Sequence, residues 1–74
     1  MYIVEGYIAK EKKEFEQEYS KEEYQIARDK AIELANTYRG GRFYFYVKGC
    51  HSMDRHYYQY DKYFGRATEF ACND

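Results

Sequence analysis

The first 19 residues contain two short segments whose hydrophobic and polar positions follow the period of a β-strand. Residues 2–9 are rich in β-branched and aromatic side chains, which favours a strand in so short a segment. Gly6 within it indicates a bulge or a close backbone approach. Residues 14–19 alternate with period two and place three glutamates on one face. The pattern predicts a hairpin, although residues 10–19 also suit a polar first helix.

A helix is predicted to begin at Ser20. The segment Ser20-Lys21-Glu22-Glu23 has the pattern of a capping box, in which serine and glutamate satisfy each other's backbone amides. Apolar residues then recur every three or four positions and form one stripe: Tyr24, Ala27, Ala31, Leu34, Ala35 and Tyr38. Gly40-Gly41 can adopt the left-handed backbone conformation with which helices commonly end. Ile26 lies off the stripe, as a scattered exposed residue or a small contact point.

The second half of the chain predicts three further strands. Residues 42–48 alternate strictly, so that Phe43, Phe45 and Val47 face the helix and Tyr44, Tyr46 and Lys48 face the other way. Residues 49–55 are expected to form a loop. Residues 56–63 favour a strand because tyrosine prefers strands, but helical spacing of Met53, Tyr57, Tyr60 and Phe64 keeps a helix open. Residues 66–72 complete the set as a short last strand.

The predicted order is β-β-α-β-β-β, an α+β fold in which one helix covers one face of a small antiparallel sheet. A chain of 74 residues has room for a single domain, residues 1–74. The other face of the sheet is then uncovered. We call this surface the open face, and in so short a chain we expect it to self-associate or to bind a partner.

Tyrosine dominates the composition: there are 11 tyrosines but no tryptophan or proline. A small core cannot bury so many, because each buried hydroxyl needs a hydrogen-bond partner. At an interface a tyrosine can bury its ring and keep its hydroxyl hydrated. We expect Tyr24 and Tyr38 to complete the core, and the tyrosines of the open face to contact another macromolecule.

The charge distribution and the hydropathy of the chain limit the classes of partner that we expect. The net charge is −1, yet residues 1–36 carry six basic and nine acidic groups (−3), whereas residues 37–74 carry six and four (+2). The tyrosine-rich half is therefore the positive half. No apolar run is long enough for a membrane span and no secretory signal core follows Met1, so we expect a cytoplasmic protein without a membrane partner. In that compartment two cysteines remain thiols.

The soft metal ligands of the chain could form a two-cysteine, two-histidine zinc shell: Cys50, His51, His56 and Cys72. Their spacing is poor, because zinc modules usually pair ligands two to four residues apart at two knuckles. A Cys50 nucleophile with a histidine base would also need an orienting group, oxyanion donors and a cleft. We therefore predict no metal, no cofactor and no enzymatic activity, and keep a small zinc module as a third hypothesis.

The predicted binding surface combines rings with neighbouring cations: Tyr44, Tyr46, Lys48, Arg55, Tyr58, Tyr60 and Lys62. Tyrosine and arginine are enriched at binding hot spots, which favours a protein or ribonucleoprotein partner. Single-stranded RNA or DNA could instead stack its bases on the same rings. The chain lacks the glycine-aromatic signature of common RNA-binding sheets and is not basic overall, so nucleic-acid binding is the second hypothesis.

In general architecture, the hairpin, the helix capped at Ser20-Lys21-Glu22-Glu23 and the aromatic strand without a catalytic set are similar to short proteins of bacteriophages and mobile elements. That resemblance implies an anti-host or anti-CRISPR class of inhibitor, which binds and disables a CRISPR effector, polymerase or nuclease in the host cytoplasm. It covers architecture and identifies no target. The expected function is stoichiometric, non-enzymatic binding.

Overall fold

The computed structural model describes residues 1–51 and 55–71. Within them the elements follow the predicted order β-β-α-β-β-β, and both segments with a helical alternative are strands. The bounds are β1 Tyr2–Ile8, β2 Lys13–Tyr19, α1 Tyr24–Thr37, β3 Phe43–Val47, β4 His56–Asp61 and β5 Arg66–Ala71. The fold class is α+β, as predicted.

The five strands form one sheet in the order β2-β1-β3-β4-β5, and every neighbouring pair is antiparallel. Since β1 lies between β2 and β3 and runs against both, those two strands are parallel to each other. They are joined through α1, which packs on one face of the sheet. The other face of the sheet is the open face.

The start of the helical segment follows the predicted capping box. The Ser20 N–H donates to the Glu23 carboxylate at 2.9 Å, and this backbone hydrogen bond lowers the pKa of Glu23. The first turn, Lys21–Glu23, is a 3-10 turn, and regular α-helix begins at Tyr24. The cap therefore holds the chain as it leaves β2 and enters α1.

Three fully buried alanines bring α1 close to the sheet: Ala27, Ala31 and Ala35. Leu34 completes the buried stripe, which packs against side chains of four strands, including Val4, Phe43 and Phe45. The stripe predicted from the sequence is thus confirmed at its centre. Its first member differs, because Tyr24 is 47% exposed and contacts Tyr2 and Phe45 only at the edge of the core.

Gly6 lies where the sheet is most tightly packed. It pairs in regular register with Phe15 on β2 and Phe43 on β3, so the close approach is confirmed and a bulge is not. A Cβ atom added at Gly6 would lie 2.4 Å from Cδ1 of Phe43 and 2.9 Å from the Arg42 carbonyl oxygen. Phe43 is fully buried and occupies the space that any other residue would fill at Gly6.

Two apolar side chains, Ile26 and Val47, lie outside the core. Ile26 is exposed, as its place off the helical stripe predicts, while Val47 is more exposed than its expected place under the helix implies. The predicted loop at 49–55 and the predicted last strand reach Ser52, Met53, Asp54 and Cys72, which lie outside the described residues. In the described ranges, no helix has the length and apolar character needed to cross a membrane.

Candidate binding face

The register between β3 and β4 divides the tyrosines of the predicted binding surface. Tyr44 pairs with Tyr57, whereas the core residue Phe43 pairs with Tyr58. Tyr58 is therefore on the helix side, with only 2% of its surface exposed, and Tyr60 follows it on that side. The prediction that Tyr58 and Tyr60 belong to the open face was wrong. Alternation divides the residues of each strand between two faces. Only the pairing register shows which faces of neighbouring strands lie on the same side of the sheet.

Tyr57 lies at the centre of the aromatic part of the open face. Its ring stacks on Phe70 of β5 with centroids 5.4 Å apart and lies 5.5 Å from the ring of Tyr44. The Arg42 guanidinium carbon lies 4.7 Å from the Tyr57 centroid, within the range of a cation–π interaction. Tyr57 is consequently only 8% exposed, although it lies on the face that the helix leaves uncovered.

A second arginine covers Tyr46. The guanidinium carbon of Arg55 lies 4.0 Å from the Tyr46 centroid, and its Nη1 is 3.4 Å from Oε1 of Glu5. Burial, reinforced by the neighbouring Glu5 carboxylate, raises the pKa of Tyr46 to about 12. Glu5, Tyr46 and Arg55 thus form a connected unit across β1, β3 and the segment before β4.

The open face changes from aromatic and basic to acidic towards β2. Glu5 pairs with both Tyr44 and Glu16, so the row of Glu14, Glu16 and Glu18 lies on the same face as the tyrosines. Lys48 Nζ lies 2.6 Å from Oε1 of Glu18, and this contact raises the pKa of Lys48. Two of the predicted cations, Lys48 and Arg55, are therefore paired with carboxylates.

Of the seven predicted binding residues, four share the open face: Tyr44, Tyr46, Lys48 and Arg55. Lys62 is exposed in the turn between β4 and β5. Tyr57, Phe70 and Glu5 were not among the predicted residues. Tyr57 could have been found only with the β3–β4 register, and Phe70 only with the pairing of β4 and β5. The binding role of the predicted set stays a prediction.

Tyr58 has a structural explanation on the helix side. Its hydroxyl accepts from Arg28 Nε at 3.0 Å and donates to Glu69 Oε1 at 2.5 Å, so both polar functions of the buried ring are satisfied. Burial is the main cause that raises the pKa of Tyr58 to about 12. The second oxygen of Glu69 lies 3.3 Å from Nδ1 of His56. This network connects α1, β4 and β5.

The possible zinc ligands are only partly described. Cys50 is a half-buried free thiol, and His56 lies beside Glu69, while Cys72 is outside the described residues. Within residues 1–51 and 55–71, no three histidine, cysteine or acidic side chains come together as a metal site. The described ligands are not assembled around a common point, and zinc binding by the full set stays a hypothesis.

A comparison of the chain with protein-family models, curated proteins and solved structures finds no match. The resemblance to short phage and mobile-element proteins therefore remains one of general architecture. The features that bear on function are the arrangement of rings on the open face, the arginines that cover them and the distribution of charge around the sheet.

Proposed function

We propose that this chain is a non-enzymatic binding protein that contacts another protein through the open face. The observation that carries the proposal is the pair of arginines stacked on the tyrosine rings of that face, Arg42 on Tyr57 and Arg55 on Tyr46. Arginine and tyrosine contribute most often to binding hot spots. Here their side chains are held in place by one another, which lowers the conformational entropy lost when a partner is bound.

The packing of the open face supports a rigid contact surface. Ile3 lies on this face, opposite Tyr46 and Glu18, and it is nevertheless buried. The layer of aromatic, arginine and glutamate side chains therefore shields the sheet from solvent. A partner would meet a layer that is already ordered, as in complexes whose interface backbone moves little on binding.

The same packing favours protein over nucleic acid on this face. A base that stacked on Tyr46 or Tyr57 would compete with an arginine, and the Tyr57 ring is also stacked on Phe70. Lys48 and Arg55 are neutralised by Glu18 and Glu5, and the β2 row of glutamates would repel phosphates. Adjacent basic and acidic areas suit the mixed charge of a protein surface.

The biological role that fits this proposal is stoichiometric inhibition, in which the chain occupies a surface of a larger protein or ribonucleoprotein. The architectural resemblance to short phage and mobile-element proteins suggests a host defence or nucleic-acid-processing complex in the cytoplasm as the target. Support for this role is the ordered contact face, on which arginine side chains are stacked on tyrosine rings.

Affinity capture from extracts of the native host tests the proposal. The variant Tyr44→Ser/Phe70→Ser removes the two rings that flank Tyr57 and leaves the buried Tyr58 intact. We expect this variant to capture at least tenfold less partner, since hot-spot truncations cost roughly 2 kcal/mol or more of binding free energy. Its far-UV circular dichroism spectrum should be unchanged.

The matched control is Tyr24→Ser/Ile26→Ser, which removes two exposed apolar side chains from the helix side. It should capture the partner as well as the unmodified chain does. Undiminished capture by Tyr44→Ser/Phe70→Ser, or equal loss in both variants, would show that the open face is not the contact surface.

A further inference from the structure

Three turns meet at one end of the sheet, which we call the basic end: residues 9–12 between β1 and β2, residues 38–42 between α1 and β3, and residues 62–65 between β4 and β5. The register places them together, because Gly6 near the end of β1 pairs with Phe43 at the start of β3. Side chains also connect them. The Tyr38 hydroxyl donates to Glu11 at 3.2 Å, and Arg39 stacks on Tyr60 at 4.2 Å.

The basic end carries most of the positive charge of the chain. Its seven cations are Lys10, Lys12, Lys13, Arg39, Arg42, Lys62 and Arg66. Its acidic side chains are Glu11, Glu14 and Asp61 together with Glu5 and Glu16 at the border of the groove, so seven cations against five carboxylates give this end a net charge of +2, whereas the whole chain has −1. The described salt bridges of Lys30, Lys48 and Arg55 lie elsewhere. The four lysines of the basic end form no ion pair among the described residues.

Two aromatic rings project from the basic end. Tyr63 is 87% exposed and Phe64 is 60% exposed, and the rings meet edge to face with their centroids 5.1 Å apart. Their turn is ordered by Asp61, whose carboxylate accepts from the Tyr63 N–H and whose carbonyl accepts from the Gly65 N–H, both at 2.8 Å. Because these hydrogen bonds order the turn while both rings stay exposed, the rings are available to contact a ligand.

A groove of about 870 Å³ lies between two of these turns, the β1–β2 turn and the α1–β3 turn. Its lining includes Tyr7 and Lys10 from the β1–β2 side and Arg39 and Arg42 from the α1–β3 turn. From β2 to β5 the sheet spans four gaps of about 4.8 Å, or about 19 Å, so the cations form a band rather than a point. Such a band suits an extended polyanion, whose charges are spaced along a line.

We propose that the basic end binds single-stranded nucleic acid, with phosphates along the cation band and bases stacked on Tyr63 and Phe64. Exposed rings and a basic groove, which here lie at the same end of the sheet, are the two elements of sequence-tolerant single-strand binding. The site meets the open face at one edge, where Arg42 and Tyr44 line the groove, but its rings and its lysines lie in the turns. The proposal goes beyond the protein contact proposed for the open face.

A linear nucleic acid fits this end better than an anionic bilayer does. Glu5 on β1 and Glu14 and Glu16 on β2 border the groove. A flexible strand can follow the cations and avoid these carboxylates, whereas a flat bilayer laid on the end would approach all of them. The rings also occupy a single turn, and the opposite turn of the band is formed by charged residues.

Tyr63→Trp provides a direct test, because the chain contains no tryptophan and the variant would carry a single reporter. The ligand is unlabelled 12-nucleotide oligo(dT) in a low-salt buffer. We expect the oligonucleotide to quench the tryptophan, since a stacked base contacts the ring. The control Ile26→Trp places the reporter on the outer face of α1 and should not be quenched.

Binding by the cations is measured with labelled oligo(dT) and fluorescence anisotropy on the full chain. Lys62→Ala/Arg66→Ala should weaken binding and reduce the slope of log affinity against log salt by about 1.4, for two lost phosphate contacts. Tyr63→Ala/Phe64→Ala should weaken it about fivefold or more with little change in slope. The control Lys21→Ala/Lys30→Ala removes the same charge from the helical segment, outside the basic end, and should bind normally.

Several results would overturn the proposal. One is the absence of tryptophan quenching in Tyr63→Trp at low salt. Another is an equal loss of oligo(dT) affinity in Lys62→Ala/Arg66→Ala and in its control variant. A third is binding to phosphatidylserine vesicles without binding to oligo(dT). Failure of this proposal is distinguishable from failure of the open-face contact, because Tyr63→Ala/Phe64→Ala leaves the rings of the open face in place. That variant should still capture the protein partner while it loses affinity for oligo(dT).

Discussion

Replacing Gly6 by alanine tests the packing of the sheet most severely. The added methyl would lie 2.4 Å and 2.8 Å from two atoms of the Phe43 ring and 2.9 Å from the Arg42 carbonyl oxygen. Real Cβ contacts are longer than 3.0 Å, so an atom must move. Phe43 has no free space to move into, because it is fully buried between the sheet and α1.

The expected cost follows from this overlap. Overpacking a core by one methyl typically costs about 1–3 kcal/mol, and the contact with backbone places Gly6→Ala at about 2–3 kcal/mol. A 74-residue domain has a total stability of roughly 4–11 kcal/mol. For a domain of this size, the loss corresponds to a decrease in Tm of about 10–20 °C.

Urea denaturation followed by far-UV circular dichroism measures the change in unfolding free energy. Gly41→Ala is the matched control, because its added methyl would meet the same Phe43 ring at 3.2 Å and the Tyr7 carbonyl oxygen at 3.3 Å. We expect it to cost less than about 1 kcal/mol, since alanine also restricts the unfolded chain.

A double-mutant cycle separates the ring clash from other effects. Phe43→Leu makes space beside residue 6, so Gly6→Ala/Phe43→Leu should be less destabilised than the sum of the single variants by about 1 kcal/mol. If Gly6→Ala lies within about 0.5 kcal/mol of the unmodified chain, or if the two costs simply add, the proposed close packing of Gly6 and Phe43 is refuted.

Two further predictions concern the tyrosines. Tyr58→Phe should cost about 1–3 kcal/mol in urea denaturation, because it leaves Arg28 and Glu69 without their shared partner, whereas Tyr44→Phe should change stability by less than about 0.5 kcal/mol. In an alkaline titration followed by phenolate absorbance, Tyr46 and Tyr58 should ionise last, near pH 12. Since their folded-state pKa values exceed the unfolded value of about 10, their contribution to stability should be complete below pH 10 and lost as the pH rises towards 12. Ionisation of all tyrosines in one step near pH 10, while the chain is still folded, would contradict the burial of these two hydroxyls.

Local patterns in the sequence predict the elements of this fold well. The capping box at Ser20, the alanine stripe and the alternation of residues 42–48 each depend on neighbours along the chain, and all three correspond to the observed elements. The order of elements then leaves few ways to cover a small sheet with one helix. The α+β class follows from these local signals.

The composition of the open face depends on information that local patterns lack. His56-Tyr57-Tyr58-Gln59-Tyr60 has tyrosines on both faces of its strand, so hydrophobicity does not distinguish the two possible orientations. The pairing of Tyr44 with Tyr57 decides the matter and excludes Tyr58 and Tyr60 from the open face. The placement of Arg55 over Tyr46 is likewise a tertiary contact with no signature in the spacing.

Site-specific photo-crosslinking in the native host tests the central claim most directly. A photoreactive phenylalanine analogue replaces Tyr44 on the open face in one variant and Ile26 on the outer face of α1 in another. The proposed contact predicts a discrete crosslinked protein from the Tyr44 position and none from the Ile26 position. A crosslink from Ile26 without one from Tyr44 would contradict binding through the open face.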